Sequence, residues 1–433
     1  MRASRTVTAR AQFMLSPVFG SGCLGNASGV PHVTCRICTA QTETILDLGS
    51  SPPANSLLST PADHLDSYPL VLEHCATCGN VQLRDCLGAA ELYQNYLYVT
   101  PDSPQLQAHY ERLHADLRRG QYISPRSFVL EVGSNIGLLL RYLRPQVRKV
   151  LGIDPAANIC KMAADAGVET VCDFFDPQSA ARIREVHGTP DIIIARHCLA
   201  HNSDPHVLIS AASSLLADDS HLVIENAYVL NTLEQNEFDQ IYHEHMFYYS
   251  LRSMSALLAH HGFHVVNVFL AAVHGGSIVF VAKRQRAADD VAPAVHERTQ
   301  HEDKVLTPVT FRHFAANTAT IRSILRDLVF DLCSRGKKVY TYGASAKGNT
   351  LLNYVGLTRE QIPFCADSTA VKQGKYLPQS LIRIISEAEA LANPPDYFLL
   401  TAWNYRDEII RKVRGLGNST SRFIVPVPFV DVV

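Results

Sequence analysis

From residue 127 onward the chain alternates short apolar runs with stretches of helical period. Residues 128–133 form an apolar run that ends in a glycine-containing turn, and 138–143 continue with helical character. Runs at 149–154, 191–195 and 222–225, with a third strand before Cys172, repeat this alternation and predict a parallel α/β sheet. Residues 253–261 read as a helix, and 264–270 and 277–283 as two final strands joined through His274, Gly275, Gly276 and Ser277. Upstream, 105–119 reads as an amphipathic helix. Downstream, 311–333 is a long helical pattern. It leads into a strand at 338–342, a glycine-containing loop at 343–350 that opens a helix, and a strand at 364–367 ending in an acid. A second α/β domain follows from this, with Lys347 and Asn349 expected to face a nucleotide at the helix N-terminus. The polar stretch 287–307 is expected to be a linker or a solvated helix.

One stretch fits neither period. Residues 238–250 crowd Tyr242, His243, Glu244, His245, Tyr248 and Tyr249 together with few aliphatic residues. That mixture predicts a loop carrying chemistry, because reactive side chains tend to sit on loops held by a rigid scaffold.

The 433 residues suggest several domains, and 47% hydrophobic and 18% charged content describe an ordinary globular chain. A net charge of −2 gives no electrostatic footprint for nucleic acid or a membrane surface. Eleven cysteines, four of them in two Cys-x-x-Cys pairs, fit a metal in a reducing compartment better than disulfides. Cys35 and Cys38 with Cys75 and Cys78 complete a four-sulfur zinc site with no open position, hence a structural one. Cys23 and Cys86 lack such a partner and are not expected to be ligands. Residues 1–30 carry three arginines and no acid, and are expected to be a disordered extension.

Ligands of open α/β sheets bind beyond the carboxyl ends of the strands. The loop Gly133, Ser134, Asn135, Gly137 therefore becomes a candidate cofactor cradle. Asp154, at the end of the next strand, can accept both hydroxyls of an adenosine ribose. Asp173 and Phe174 can hold an adenine by hydrogen bond and stacking. His197 and His201 follow the fourth strand, and Glu225 and Asn226 end the fifth. Tyr93, Tyr96 and Tyr98 can pack a domain junction or supply phenols to a site. The Glu131-x-Gly133-x-x-x-Gly137 spacing is closer to the first motif of S-adenosylmethionine-dependent methyltransferases than to a dinucleotide fingerprint.

Several longer motifs carry a more specific resemblance. They are the two cysteine pairs, Leu48-Gly-x-x-Pro-x-Ala-Asn55, Gly133-Ser-Asn-x-Gly137, Tyr242-His-Glu-His245, His274-Gly-Gly-Ser277, the run from Tyr342 to Tyr354, and Ala402-Trp-Asn-Tyr405. Through these the chain resembles the three-domain sugar C-methyltransferases that act on nucleotide-linked 4-keto deoxysugars, over about residues 35–429.

The resemblance implies a class I methyltransferase Rossmann-like domain at about 93–290. A small zinc-binding N-terminal domain at 31–92 and a C-terminal Rossmann-like α/β domain at 305–433 would flank it. It implies S-adenosylmethionine as cofactor, with His245 as general base, Tyr242 and Glu244 beside it, and His201 and Tyr98 nearby. Asn226, Lys347 and Asn349 would meet the nucleotide sugar, which would lose a proton at C3 and gain a methyl there. A cytoplasmic monomer or weak dimer is expected. Ile136 and His197 depart from the family's usual Asp and Asn, and residues 377–384 depart from its Pro-Gly pattern. An O- or N-methyltransferase, or a catalytically dead nucleotide-sugar-binding protein, remain the alternatives at this point.

Overall fold

A computed structural model describes residues 33–88, 99–100, 102–284 and 291–433, all within one compact unit, His32–Val433. The extension at 1–30, Cys23 and the tyrosines at 93, 96 and 98 lie outside the described residues.

Three sheets organise the unit. The first contains β1 (Glu43–Ser51), β2 (Tyr68–His74) and β3 (Val81–Leu83), joined antiparallel. The second is built from β4 (Phe128–Val132), β5 (Lys149–Asp154), β6 (Thr170–Cys172), β7 (Ile192–Arg196) and β8 (His221–Ala227), all parallel. A two-residue strand, β9 (Phe247–Tyr248), leaves this domain to pair with β3 in the first sheet. Strands β10 (Phe263–Ala271) and β11 (Ser277–Arg284) complete the second sheet antiparallel, in the order β10-β11-β8-β7-β4-β5-β6. The third sheet holds β12 (Val339–Tyr342), β13 (Phe364–Ala366), β14 (Arg383–Ile385), β15 (Tyr397–Leu400), β16 (Arg422–Val425) and the antiparallel β17 (Asp431–Val432).

The reason for the near-continuous apolar runs is burial on both faces. Every residue of β4 and Ile192–Ala195 of β7 is buried, as expected of central parallel strands covered by helices. The amphipathic helix α1 (Pro104–Arg119) starts at Ser103, whose side chain accepts from Leu106 N, with Pro104 in the first turn. It buries Leu106, Tyr110, Leu113 and Leu117 on the sheet. Helix α2 (Leu138–Leu143) follows the glycine loop and buries its leucines beside them.

Of the polar stretch 287–307, residues 293–305 form the solvated helix, with one buried exception. Helix α3 (Pro293–Val305) is anchored by Glu302, 2% exposed, whose carboxylate accepts from Tyr228 Oη, Leu251 N and Arg252 N. One buried acid serves as a cap for the helix starting at Leu251, which a polarity count cannot reveal. The long helix α4 (Pro308–Ser334) and α5 (Ala346–Val355), the helix opened by the 343–350 loop, then cover the third sheet.

Candidate active site

The 238–250 stretch is a loop over most of its length, with one turn of 3-10 helix at Phe238–Gln240 and β9 near its end. Half of its aromatics are packing. Tyr248 and Tyr249 are fully buried, and Phe247 stacks on Tyr249 at 5.6 Å. His243 turns away to the Tyr68 carbonyl, 3.3 Å from Nε2.

His245 is the residue the loop presents. Its Nδ1 lies 3.0 Å from the Gln240 carbonyl and its Nε2 lies 2.7 Å from the Tyr242 hydroxyl. A carbonyl only accepts, so Nδ1 carries the proton and Nε2 receives the Tyr242 proton. Burial, with repulsion from His201, holds the imidazole well below its ordinary range. The ring of His201 stands edge-on at 5.1 Å, and burial pushes that imidazole down to about 4. Gln240 is itself fixed: its carbonyl also accepts from Tyr248 Oη at 3.1 Å, and its amide reaches Thr232 and Glu237.

Glu244 does not orient His245. Its carboxylate is buried and accepts from Asn55 Nδ2 at 2.7 Å, and burial pushes it up to about 7. Asn55 closes the Leu48–Asn55 motif, so the signal was present in the chain, but no local pattern couples it to a residue 189 positions away.

The cofactor edge forms around Gly133 and Gly137. Gly133 has φ +65°, and a Cβ there would meet Cys198 Cβ at 2.7 Å; at Gly137, φ +75°, it would meet Val168 at 2.9 Å. Only glycine lets the loop lie this close to β7 and the helix layer. Asp154 holds the loop, accepting from Asn135 N and Ala156 N at 3.0 Å each, and burial pushes its carboxyl up. Ile136 packs into the core beside α2. Asp173 pairs with Arg182, and the neighbouring Phe174 ring is 50% exposed, a free face at the sheet edge. Among the described residues, Ser134 Oγ and both polar atoms of Asn226 are buried without hydrogen-bond partners. Ring face, carboxylate and the unpaired Ser134 hydroxyl are a set that suits an adenosine cofactor, and the site fits S-adenosylmethionine.

The third sheet meets this edge. Lys347 Nζ lies 4.0 Å from Glu237 Oε2 and 5.1 Å from the centre of the Trp403 ring, with no hydrogen-bond partner among the described residues. Burial pushes Glu237 up to about 8, opposed by Lys347. Trp403 Nε1 donates to Asp239 Oδ2 at 2.6 Å. A cavity of about 250 Å³ lies here, lined by Glu237, His274, Asn231, Gln105 and Trp403.

The expected nucleotide cradle at 343–350 is filled from within. Ala344 N donates to Asp367 Oδ2 at 2.7 Å, and Gly348 N to Ser345 Oγ at 3.0 Å. Asn349 is fully buried, its amide donating to the Ala54 carbonyl at 3.1 Å, so it joins domains rather than facing a ligand. Tyr98 lies outside the described residues.

Away from the cleft, the Sγ atoms of Cys35, Cys38, Cys75 and Cys78 lie within 4.8 Å of one another, with 3.5 Å between Cys35 and Cys78 and between Cys38 and Cys75. Four converging thiols with Zn–S bonds near 2.3 Å are a tetrahedral zinc set. Ile37 N and Asn80 Nδ2 also approach Cys35 Sγ, at 3.4 and 3.5 Å. Cys86 is not in the cluster.

Fold and site together describe a methyltransferase with a structural zinc module. Family models match in chain order: a zinc binding domain at 35–93, a methyltransferase domain at 105–268 and a C-methyltransferase C-terminal domain at 272–428. The chain is 38% identical over 406 residues to C-methyltransferase NovU of Streptomyces niveus, covering 92% of this chain and 96% of that one. It therefore belongs to the C-methyltransferase family and is an S-adenosylmethionine-dependent C-methyltransferase carrying structural zinc. Among solved structures it is similar to magnesium protoporphyrin IX methyltransferase from Synechocystis, at 17% identity, 42% and 84% coverage and TM-score 0.33. A methyltransferase from Clostridium acetobutylicum is similar at 11% identity, 46% and 96% coverage and TM-score 0.34.

Proposed function

We propose that the acceptor is a nucleotide-linked 4-keto deoxysugar, methylated at C3, with His245 as the base. The observation that carries this reading is the Tyr242–His245 pair at 2.7 Å. A carbon acceptor must lose a proton before it can take a methyl, and a neutral imidazole whose Nε2 lone pair is held by a single hydroxyl suits that task.

The proton leaves C3 for Nε2 as Tyr242 releases its hydrogen bond, and the electron pair of the C–H bond passes to the 4-keto oxygen. Tyr242 Oη, freed from His245, then donates to that enolate oxygen. Oriented donors at a developing oxyanion are among the strongest catalytic devices. The Gln240 carbonyl stabilises the imidazolium through Nδ1. Asn226, with its donor and acceptor unpaired, and Lys347 are the groups that bind the sugar. Gly133, Ser134, Asn135, Gly137, Asp154, Asp173 and Phe174 hold S-adenosylmethionine, which supplies an electrophilic methyl on its sulfonium.

A second cavity of about 480 Å³ shares Gln105, Trp403, Asn404 and Tyr405 with the first and adds Arg406 and Arg411. Two adjoining cavities support an elongated acceptor, with the sugar by His274 and the phosphates toward Arg411, since Arg406 is paired with Asp407 at 2.9 Å.

The test is exchange of the acceptor's C3 hydrogen with deuterium from solvent. In His245→Asn the exchange should fall at least about 100-fold, a normal size for a lost base, while S-adenosylhomocysteine binding stays within about threefold. Exchange at the wild-type rate in that variant removes His245 from the role.

A further inference from the structure

Behind the proposed base stands a second imidazole tied to a buried carboxylate. Glu225, at the end of β8, is fully buried. His109 Nε2 on α1 lies 2.8 Å from Oε1 and 3.1 Å from Oε2. His197 Nε2 lies 3.5 Å from the same Oε1, an ion-pair distance, with alignment too poor for a full hydrogen bond. The His197 backbone N donates to the Glu225 carbonyl at 2.7 Å, and His197 is held at φ +50°. A left-handed backbone at a non-glycine residue is uncommon and concentrates at functional sites.

The surroundings of His197 come from five elements. Glu225 and His109 face it from one side. His274, on the turn between β10 and β11, packs its ring edge-on at 4.5 Å. His201 and His245 are close enough for His197 to repel their protonated forms, and so is the Lys347 ammonium for His274 and His245. Arg196, beside it in sequence, is already engaged by Glu131 at 2.9 Å.

His109 and His197 share the Glu225 carboxylate, but the His109 side chain is only 6% exposed, so His197 is the one of the pair open to solvent. Its side chain is 26% exposed, and no described residue takes its Nδ1. His245, in contrast, has both ring nitrogens engaged and sits where a positive charge is disfavoured.

We propose that His197 is a proton-carrying residue of this reaction site, with Glu225 and His109 as its positioning residues. The proton taken from the acceptor carbon onto His245 Nε2 passes through water to Nδ1 of His197, and from there to solvent. His245 returns to the neutral form, and the imidazolium at His197 is balanced by Glu225. No oxidant or co-reactant is needed, and one proton is released per methyl transferred. This rests on the proton-abstraction reading above but not on the identity of the sugar.

The first test needs no acceptor. In protein with carbon-13-labelled histidine rings and S-adenosylhomocysteine bound, the resonance missing from His197→Asn belongs to His197. Glu225 touches that ring, so in Glu225→Gln the resonance should move from its wild-type position at one fixed pH. An unmoved resonance overturns the proposal. The second test is methyl transfer against pH. Removing a neighbouring anion destabilises an imidazolium, so Glu225→Gln should shift the acidic limb of kcat downward. His197→Asn should remove that limb and lower kcat about 10- to 100-fold, with the acceptor KM within about threefold. A uniform loss with an unchanged pH profile in His197→Asn means packing alone and overturns the proposal. If Glu225→Gln loses S-adenosylhomocysteine binding through misfolding, the His197→Asn profile decides. Failure of every keto sugar to exchange in the wild type would sink the substrate reading and leave the resonance result standing.

Discussion

His245 and Tyr242 illustrate how a three-residue spacing becomes chemistry. The two rings lie 4.0 Å apart at 33°, with the hydroxyl on Nε2. Tyr242→Phe keeps the ring and removes the hydroxyl that, on the proposed mechanism, donates to the enolate. Its kcat should fall about 100-fold, with unchanged S-adenosylhomocysteine affinity by calorimetry; wild-type turnover would rule out a role for the hydroxyl. Glu244 gives a stability prediction. Its folded carboxyl is raised from 4.5 to about 7, the reverse of the usual carboxylate. The folded protein therefore binds that proton more tightly than the unfolded chain. The stabilisation is complete below about pH 4.5 and is lost as pH rises through about 7, amounting to about 3–4 kcal/mol at most. Thermal unfolding from pH 5 to 8 should show a falling Tm in the wild type and a flatter profile in Glu244→Gln; parallel profiles would contradict this. Tyr242, Glu244 and His245 were legible in the sequence as a dense polar window. Their pairing with Asn55 and Gln240 was not: Asn55 ends a motif of its own but nothing local ties it to Glu244, and a backbone carbonyl such as that of Gln240 leaves no mark in the sequence.

At the scale of elements, the zinc module does more than stabilise itself. The Cys75–Cys78 knuckle leads into β3, and β3 pairs with β9, placing Val81 opposite Tyr248 and Gln82 opposite Phe247. Arg252, just past the loop, donates to the Ala76 and Thr77 carbonyls inside the knuckle. Arg36, between the first two cysteines, donates to the Leu83 carbonyl and lies over the Phe247 ring. The reactive loop is thus clamped at its exit by the metal module. Stripping zinc with a chelator should abolish methyl transfer and raise amide exchange across 238–250, while S-adenosylhomocysteine still binds at the β4–β5 edge. Full activity of the metal-free protein would show that the clamp is dispensable. The cysteine pairs announced the metal, since Cys-x-x-Cys spacing is local. The β3–β9 pairing did not show, because a two-residue strand has no period to read.

At the scale of the molecule, the third sheet closes the cleft through two buried contacts, Lys347 with Glu237 and Trp403 with Asp239. Trp403 is the single tryptophan of the chain, so its fluorescence reports on this junction. A nucleotide sugar should change its emission, and S-adenosylhomocysteine alone should not; the opposite pattern would place the acceptor elsewhere. Trp403→Phe leaves the buried Asp239 carboxylate without its indole donor and should destabilise the protein by ~1–3 kcal/mol in denaturant unfolding. A loss below about 0.5 kcal/mol would show that the carboxylate finds water there.

Local signals determined a great deal. The alternation of buried strands and helices specified the α/β sheets, the glycines at 133 and 137 marked the tight loop after β4, and the cysteine pairs marked zinc. Each is a pattern within some dozen residues, set by backbone geometry or ligand spacing. The tertiary structure decided what long-range contact decides. It turned Asn349 and the 343–350 amides inward onto Ala54, Asp367 and Ser345, moved Lys347 to the cleft, and buried Glu302 as a cap. It also set His197 against Glu225 and His109. Those roles depend on which distant partner satisfies a buried polar group, and sequence spacing carries no record of that partner.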